Sequence, residues 1–404
     1  MKKKLLQIDS CLVTGSTGRI TESVARLAQN QGWDCYIVHG GRYVKRPSCM
    51  MDIQSVSPAG EYFHYAEGLL LDNHGLASRR ATRKVIDQIK QINPDVVQLH
   101  CVHGYYLNYK ILFEYLNSTA TPVVWTFHDC WAFTGHCAHF VTVGCEKWKK
   151  GCYNCPLKGD YPKSFVDCSK RNYELKKRLF SANLNLHIVP VSDWMAGFVR
   201  ESFLKDKDIT VIKNGVDLNL FKPTAIPTDG KIRILGVSGV WYKEKGLYDF
   251  YKLRGLLDSD KYEIIMVGLS KDQLKDLPEG IKGIEHTESV QELAKLYSST
   301  TLFVNPTYAD TFPTVNLEAL ACGTPVITYK TGGSPEAVTP LTGWVVDQGN
   351  IEAIASIVKG FELKDVREKK KYREACRIRA EQEFDKNKCF EKYVDLYECL
   401  AACK

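Results

Sequence analysis

The chain has 404 residues, long enough for two domains that each bury a full core, and its 44% hydrophobic and 25% charged content excludes disorder and fibres. Its 54 lysines and arginines against 47 acidic residues leave a net charge of +7, too mild for a dedicated nucleic-acid binder. Fifteen cysteines are too few for a disulfide scaffold, and an odd number cannot all pair within one chain.

The first residues, MKKKLLQIDSC, mimic a signal n-region, but Asp9 and Ser10 interrupt the apolar run after Leu5, Leu6 and Ile8. No stretch approaches the ~18 apolar residues of a membrane span. A cytoplasmic location is expected, with cysteines as thiols, metal ligands or redox groups. LLQID (5–9) reads as a strand, Cys11 to Gly18 as a loop, and residues 20–32 as a helix stopped by Gly32. DCYIVHG is a strand. ATRKVIDQIKQINP is a helix closed by Asn93-Pro94. DVVQLHC, TPVVWTFHD and NLHIVPVSD are further strands, with the helix YYLNYKILFEYL between the first two. This alternation signals a parallel sheet with helical crossovers.

Residues 220–231, rich in Pro, Thr and Gly, read as a linker. KIRILGVSG, YEIIMVG, TLFVNP and TPVITY are the strands of a second α/β pattern, and a charged helix and a last helix close the chain. The fold class is α/β with two doubly wound domains. A first domain is expected over 1–205 and a second over 206–384, with a final helix at about 385–404 packing back on the first. In such sheets ligands sit at the carboxyl ends of the strands, here across a cleft between the domains.

Residues 305–338 are the richest segment. Asp310 lies in a loop after a strand, Pro313 suits the first position of a helix, and Glu318 lies on its second turn. The free N–H groups of residues 313–315 form an anion site, which makes Phe312, Pro313 and Thr314 donor-binding candidates. Gly332-Gly333 lead into Ser334 as N-cap and Pro335 at the next position, suggesting a second one. Two helix N-termini suit a diphosphate, with Asp310 and Glu318 as hydroxyl acceptors. The plainer reading is a surface Glu and a loop Asp.

Asp310-x7-Glu318, followed by ALACGTPVI and TGGSPE, resembles the signature of glycosyltransferase family 4, group 1: retaining enzymes of the GT-B fold, with two facing Rossmann-like domains. VIKNGVDLNLF (211–221), GVWYKEKGL (239–247) and TGWVVD (342–347) resemble other family segments, and HDCWAFTGHC and LHCVHGYYLNY resemble its capsule and exopolysaccharide branch. The resemblance implies a nucleotide-diphospho-sugar donor and a glycan or lipid-linked acceptor. It makes Lys245 the leaving-group cation, places Gly239 and Lys243 in the phosphate segment, sets Glu318 on the nucleotide ribose, and gives Asp310 and His128 the donor sugar. Asp310 stands where the family usually has Glu, and Val240 where it has Arg; Lys243 could supply that charge without the bidentate fork.

In the first half, the loop GSTGRI carries Gly15 and Gly18. It is not GxGxxG, and its glycines can serve a tight turn as well as a phosphate. His128-Asp129 end the strand TPVVWTF. His100 and His103, at the end of DVVQLHC, are acceptor-side candidates. Cys137, Cys145, Cys152 and Cys155 lie in a lysine-rich loop that reads as lacking a core of its own. They could close a structural zinc site, remain thiols or pair as disulfides.

The leading expectation is a retaining glycosyltransferase of cell-surface polysaccharide synthesis. Its diphosphate leaving group would be stabilised without a catalytic metal or cofactor, and basic loop residues could touch the inner membrane surface. A GT-B epimerase acting on the donor alone, a Rossmann oxidoreductase and a zinc-loop nucleic-acid module are the alternatives.

Overall fold

The computed structural model describes residues 2–40, 47–224 and 231–402. Residues 225–230 of the expected linker and Cys403 lie outside the described residues. The chain forms two compact units, Met1–Lys213 with Phe390–Lys404, and Asn214–Cys389.

The first unit is built on β1 (Lys4–Ile8), β2 (Asp34–His39), β3 (Met51–Gln54), β4 (Val96–Leu99), β5 (Val123–Phe127), β6 (Leu186–Pro190) and β7 (Asp208–Ile209). They form one parallel sheet in the order β3-β2-β1-β4-β5-β6-β7. The central runs VVQL and VVWTF are buried at every position, as expected of strands covered by helices on both faces. From β1 the chain builds outward through β2 and β3, then returns to add β4 on the opposite side. The topological switch point is therefore at the carboxyl ends of β1 and β4, where such folds bind ligands.

The second unit repeats the plan with β8 (Ile232–Val237), β9 (Tyr262–Val267), β10 (Ile281–Ile284), β11 (Leu302–Asn305), β12 (Val326–Tyr329) and β13 (Gly343–Val346). Their order is β10-β9-β8-β11-β12-β13, again parallel, so the switch point lies between β8 and β11. Each unit has its own apolar core.

Three local differences from the sequence reading have physical causes. The first helix spans Gly15–Asn30 and so begins five residues early. Its opening is compatible with glycine, since Gly15 has φ +68° and a Cβ on Gly18 would lie 3.1 Å from the Val13 nitrogen. Strand β3 is a mostly exposed edge strand whose apolar–polar alternation, MDIQ, runs for only four residues and so does not stand out. The helix Pro58–Leu71 has a readable start, with Ser57 Oγ accepting from Gly60 N–H and proline at the first position, yet its exposed apolar residues blur the period.

From Phe390 onward the last helix, Lys386–Ala402, belongs to the first unit. Tyr397 Oη donates to Gln98 Oε1 (2.7 Å), Gln98 Nε2 donates to Thr126 Oγ1 (2.6 Å), and Thr126 Oγ1 donates to Tyr393 Oη (3.2 Å). Trp33 Nε1 donates to Glu398, which also pairs with Lys3. Gln98 and Thr126 are buried on β4 and β5, so the helix closes one face of the first sheet.

Candidate active site

In the second unit, Lys245 ends a single 3-10 turn, Lys243–Lys245, in the loop after β8. Gly246 follows with φ +79°, and a Cβ there would overlap the Pro306 carbonyl at the end of β11. Tyr308 N–H donates to the Glu244 carbonyl (2.7 Å), lacing the same two loops together. Lys245 Nζ consequently meets Asp310 Oδ2 at 2.7 Å and the Ala309 carbonyl at 3.5 Å. Burial pulls the Lys245 ammonium down, but the Asp310 carboxylate beside it outweighs that and holds it above the ordinary lysine value. The loop after β12 completes the arrangement. Gly332 has φ +55°, a Cβ on it would overlap the Asp310 carbonyl, and Gly333 N–H donates to the Thr311 carbonyl at 3.0 Å. Three loops from neighbouring strand ends thus lock around one ion pair at the switch point.

The helix after β11 spans Thr314–Ala321, with Pro313 as its N-cap rather than its first residue. Proline has no N–H, and Asn316 N–H is used on the Pro313 carbonyl (3.2 Å), so Thr314 and Val315 are the donors left in the first turn. Glu318 is no surface residue: it is buried and accepts from Tyr297 Oη at 3.0 Å. Phe312 points into the core, tilted against Phe384 with ring centroids 5.9 Å apart, and its carbonyl accepts from Asn214 Nδ2 (3.0 Å). Its backbone, rather than its ring, shapes the site. Asn214 opens the Asn-Gly-Val-Asp segment, which clasps the start of the last helix through Asp217 and Lys386 (2.6 Å).

The expected second helix N-terminus is not formed. Ser334–Ala337 is one 3-10 turn capped by Gly333, and the buried Ser334 hydroxyl makes no hydrogen bond among the described residues. Gly239 has open space around it, Val240 is exposed and Lys243 is exposed. Of the two lysines in this loop, Lys245 is the one embedded at the strand ends.

In the first unit, the histidines singled out in the sequence meet at the carboxyl ends of β4 and β5. His100, His103, His128 and Asp129 line one pocket with Cys101 and Trp131. His100 Nδ1 and His128 Nε2 are 3.1 Å apart, and His100 Nε2 lies 3.1 Å from Gln7 Oε1. His103 bridges Tyr161 Oη (3.0 Å) and Asp129 Oδ2 (2.9 Å), and Asp129 Oδ1 accepts from Trp131 N–H (2.8 Å). Burial pushes the Asp129 carboxyl up, but the His103 ring and this hydrogen bonding hold it well below the usual carboxylate range.

Asp9, at the end of β1, is fully buried and accepts from Thr21 Oγ1 (2.9 Å), and burial raises its carboxyl to about 6. Asp9, Gln7 and Tyr161 were not among the sequence candidates. Asp9 carried a usable signal, an acid closing the first apolar strand of a β–α unit, but it reads first as a break in a leader-like run. Gly15 and Gly18 belong to the helix rather than a loop, and Arg19 Nε folds back onto the Gly15 carbonyl (3.1 Å).

The zinc reading finds no support among the described residues. Cys137, Cys145, Cys152 and Cys155 do line one small pocket. Among the described residues, however, no group of three or more His, Cys, Asp or Glu is placed to hold a metal ion, and every described cysteine is free. Cys137 is hydrogen-bonded to Cys155, while Cys152 Sγ accepts from Gly135 N–H at 3.2 Å. The loop has apolar packing of its own. Phe140 stacks on Trp148 (5.0 Å between centroids), Phe133 packs on Trp148 (5.3 Å), and all three join the main core of the unit.

Comparison with known proteins agrees with this architecture. The profile of Glycosyltransferase Family 4 matches residues 17–220, and that of Glycosyl transferases group 1 matches residues 220–383. A putative colanic acid biosynthesis glycosyl transferase, WcaC of Escherichia coli K12, is 26% identical over 282 residues, covering 66% of this chain and 67% of that protein. Sucrose-phosphate synthase from Thermosynechococcus elongatus superimposes with a TM-score of 0.75 at 16% identity over the full length of both chains. The Anabaena protein Alr3699/HepE, solved with UDP and glucose, does so with a TM-score of 0.66 at 16% identity, covering 98% of this chain and all of that one. These relationships set aside the oxidoreductase alternative. With the two profiles together running from residue 17 to residue 383 over two doubly wound parallel sheets, the chain belongs to glycosyltransferase family 4 (the group 1 glycosyl transferases) and has the GT-B fold.

Proposed function

We propose that the protein is a retaining, metal-independent hexosyltransferase. It moves a sugar from a nucleotide-diphospho-sugar to a glycan or lipid-linked acceptor in cell-surface polysaccharide synthesis. The observation that carries this reading is the Lys245–Asp310 pair at the β8/β11 switch point, beside the buried Glu318 and the first turn of the helix Thr314–Ala321. The site holds a cation where a departing diphosphate gathers charge and carboxylates where a ribose and a sugar offer hydroxyls. The HepE complex with UDP and glucose and the colanic acid assignment of WcaC support the donor class and the polymer context.

In the proposed step the bond from the anomeric carbon to the diphosphate oxygen breaks, and its electron pair leaves with the diphosphate. The acceptor oxygen bonds to the same face of that carbon, and its proton passes to the departing phosphate oxygen. Lys245 and the N–H groups of Thr314 and Val315 stabilise the developing negative charge. Before the donor arrives Asp310 holds Lys245 in place; on binding, the diphosphate takes over the ammonium and frees Asp310 for a sugar hydroxyl. Glu318 accepts from the ribose, and His128, at the carboxyl end of β5, is assigned to the donor sugar on the family resemblance. His100 and His103 remain acceptor-side candidates.

Lys245→Ala and Glu318→Ala are each expected to lower turnover by ~10²–10³-fold with an unchanged circular dichroism spectrum. Normal turnover in both rejects the site. Turnover that survives a chelator is expected; turnover restored only by a divalent cation rejects metal independence.

A further inference from the structure

The hydrogen bonds behind His128 determine which of its nitrogens carries the proton. Gln7 is fully buried on β1, and its amide orientation is fixed on one side: Nε2 donates to the Thr21 carbonyl (3.0 Å) and faces Met50 Sδ (3.3 Å). Both are acceptors only, so a flipped amide would set two acceptors against each other. Gln7 Oε1 is therefore the atom that meets His100 Nε2 at 3.1 Å, and His100 must carry its proton on Nε2 to satisfy it. Burial, with the neighbouring His128, pushes His100 well below the ordinary histidine value, so the ring is neutral and its Nδ1 is a bare acceptor.

The partner at that Nδ1 is His128 Nε2, 3.1 Å away. The two ring planes differ by only 16° and their centroids lie 5.4 Å apart. That separation is the nitrogen–nitrogen distance plus about one ring radius at each end, so the rings lie in line, edge to edge. This is the geometry of an N–H···N hydrogen bond rather than a face-to-face stack. His128 is itself neutral, lowered by burial to about 4, so with its one proton on Nε2 its Nδ1 holds a lone pair.

We propose that Gln7 and His100 are positioning residues that lock His128 in the Nε2–H tautomer, so that at Nδ1 His128 accepts a hydrogen bond from a sugar hydroxyl rather than donating one to a sugar oxygen. The tautomer follows from the first unit alone; its consequence for transfer rests on the assignment of His128 to the donor sugar made above. The relay continues behind Gln7, where Thr21 hydrogen-bonds both the Gln7 amide through its carbonyl and Asp9 through its hydroxyl (2.9 Å). A register shift in the first helix would thus be felt at His128.

The test is ¹⁵N NMR of the full-length protein labelled at histidine, at neutral pH and without substrate, with the His128 signals assigned by their loss in His128→Asn. The expected pattern is a protonated Nε2 and an unprotonated Nδ1. A protonated Nδ1 overturns the proposal whatever any variant does. Gln7→Met, of similar shape but with no amide acceptor, is expected to give His128 a mixture of tautomers and to lower kcat about tenfold with KM changed less, the scale of one misplaced hydrogen bond. An unchanged His128 tautomer in Gln7→Met overturns the relay. A changed tautomer with unchanged kcat overturns its role in transfer. If instead the tautomer follows the prediction but His128→Ala turns over normally, the relay stands and the proposed role of His128 fails.

Discussion

Asp9→Asn is the substitution whose effect can be worked furthest from the structure. Asp9 directly follows β1 at the switch point of the first sheet and is fully buried, and that burial raises its carboxyl from 3.8 to about 6 despite the hydrogen bond from Thr21. A folded-state value above the unfolded one means that the native protein binds the proton more tightly. The native state is therefore unpenalised below about pH 4 and loses stability as pH rises to about 6, after which the loss is constant. A shift of about two pKa units corresponds to about 3 kcal/mol at neutral pH. Asparagine keeps the shape and a hydrogen-bonding oxygen for Thr21 but has no charge to bury. The assay is urea unfolding of parent and variant at several pH values between 4 and 8, followed by tryptophan fluorescence. Trp33, Trp125, Trp131, Trp148 and Trp194 all lie in the first unit and report on it. The stability gained by the variant should grow by about 3 kcal/mol between pH 4 and pH 7 and then level off. A difference that does not vary with pH would refute the reasoning.

Three further outcomes are expected. Gly332→Ala sets a Cβ against the Asp310 carbonyl, so it should displace the Asp310 loop and abolish transfer while costing ~1–3 kcal/mol of stability; full activity would show that the three loops are not interlocked. Trp148→Ala removes a buried ring from the cysteine-bearing loop and should cost ~3–5 kcal/mol, read by thermal unfolding, whereas a loop without its own packing would lose little. Cys155 should be alkylated by iodoacetamide ahead of Cys137 and Cys152 at neutral pH, because the hydrogen bond from Cys137 lowers its thiol to about 7. Cys137→Ala should slow that labelling, and mass spectrometry showing no change would contradict the pairing.

Much of the fold was legible because its signals are local. Buried runs such as VVWTF and IRILGV declare strands, and the helices between them impose parallel pairing. Lys245, Asp310 and Glu318 were found by spacing and family resemblance, and the structure brings Lys245 and Asp310 into direct contact. That contact could not be read from the sequence, since it depends on the close approach of loops 65 residues apart across Gly246 and Gly332. The same holds for His100 and His128, whose ring-to-ring hydrogen bond comes from the adjacency of β4 and β5. The packing of the cysteine loop was hidden for a different reason. Phe133, Phe140 and Trp148 are scattered among lysines and cysteines without helical or strand periodicity, so nothing in the pattern announced that they are buried together. The one-residue shift at Pro313 and the single turn at Ser334 show the limit of reading caps from residue type, because neither proline nor Gly-Gly sets how long the following helix runs.

The most direct test of the central claim is a product analysis with a panel of nucleotide-diphospho-sugars, each incubated with and without glycan and lipid-linked acceptors. The proposed function predicts that one donor releases nucleoside diphosphate in step with a glycosylated acceptor whose new linkage keeps the donor's anomeric configuration, and that Lys245→Ala removes this turnover. Conversion of the donor without an acceptor, an inverted linkage, or undiminished turnover by Lys245→Ala would contradict it.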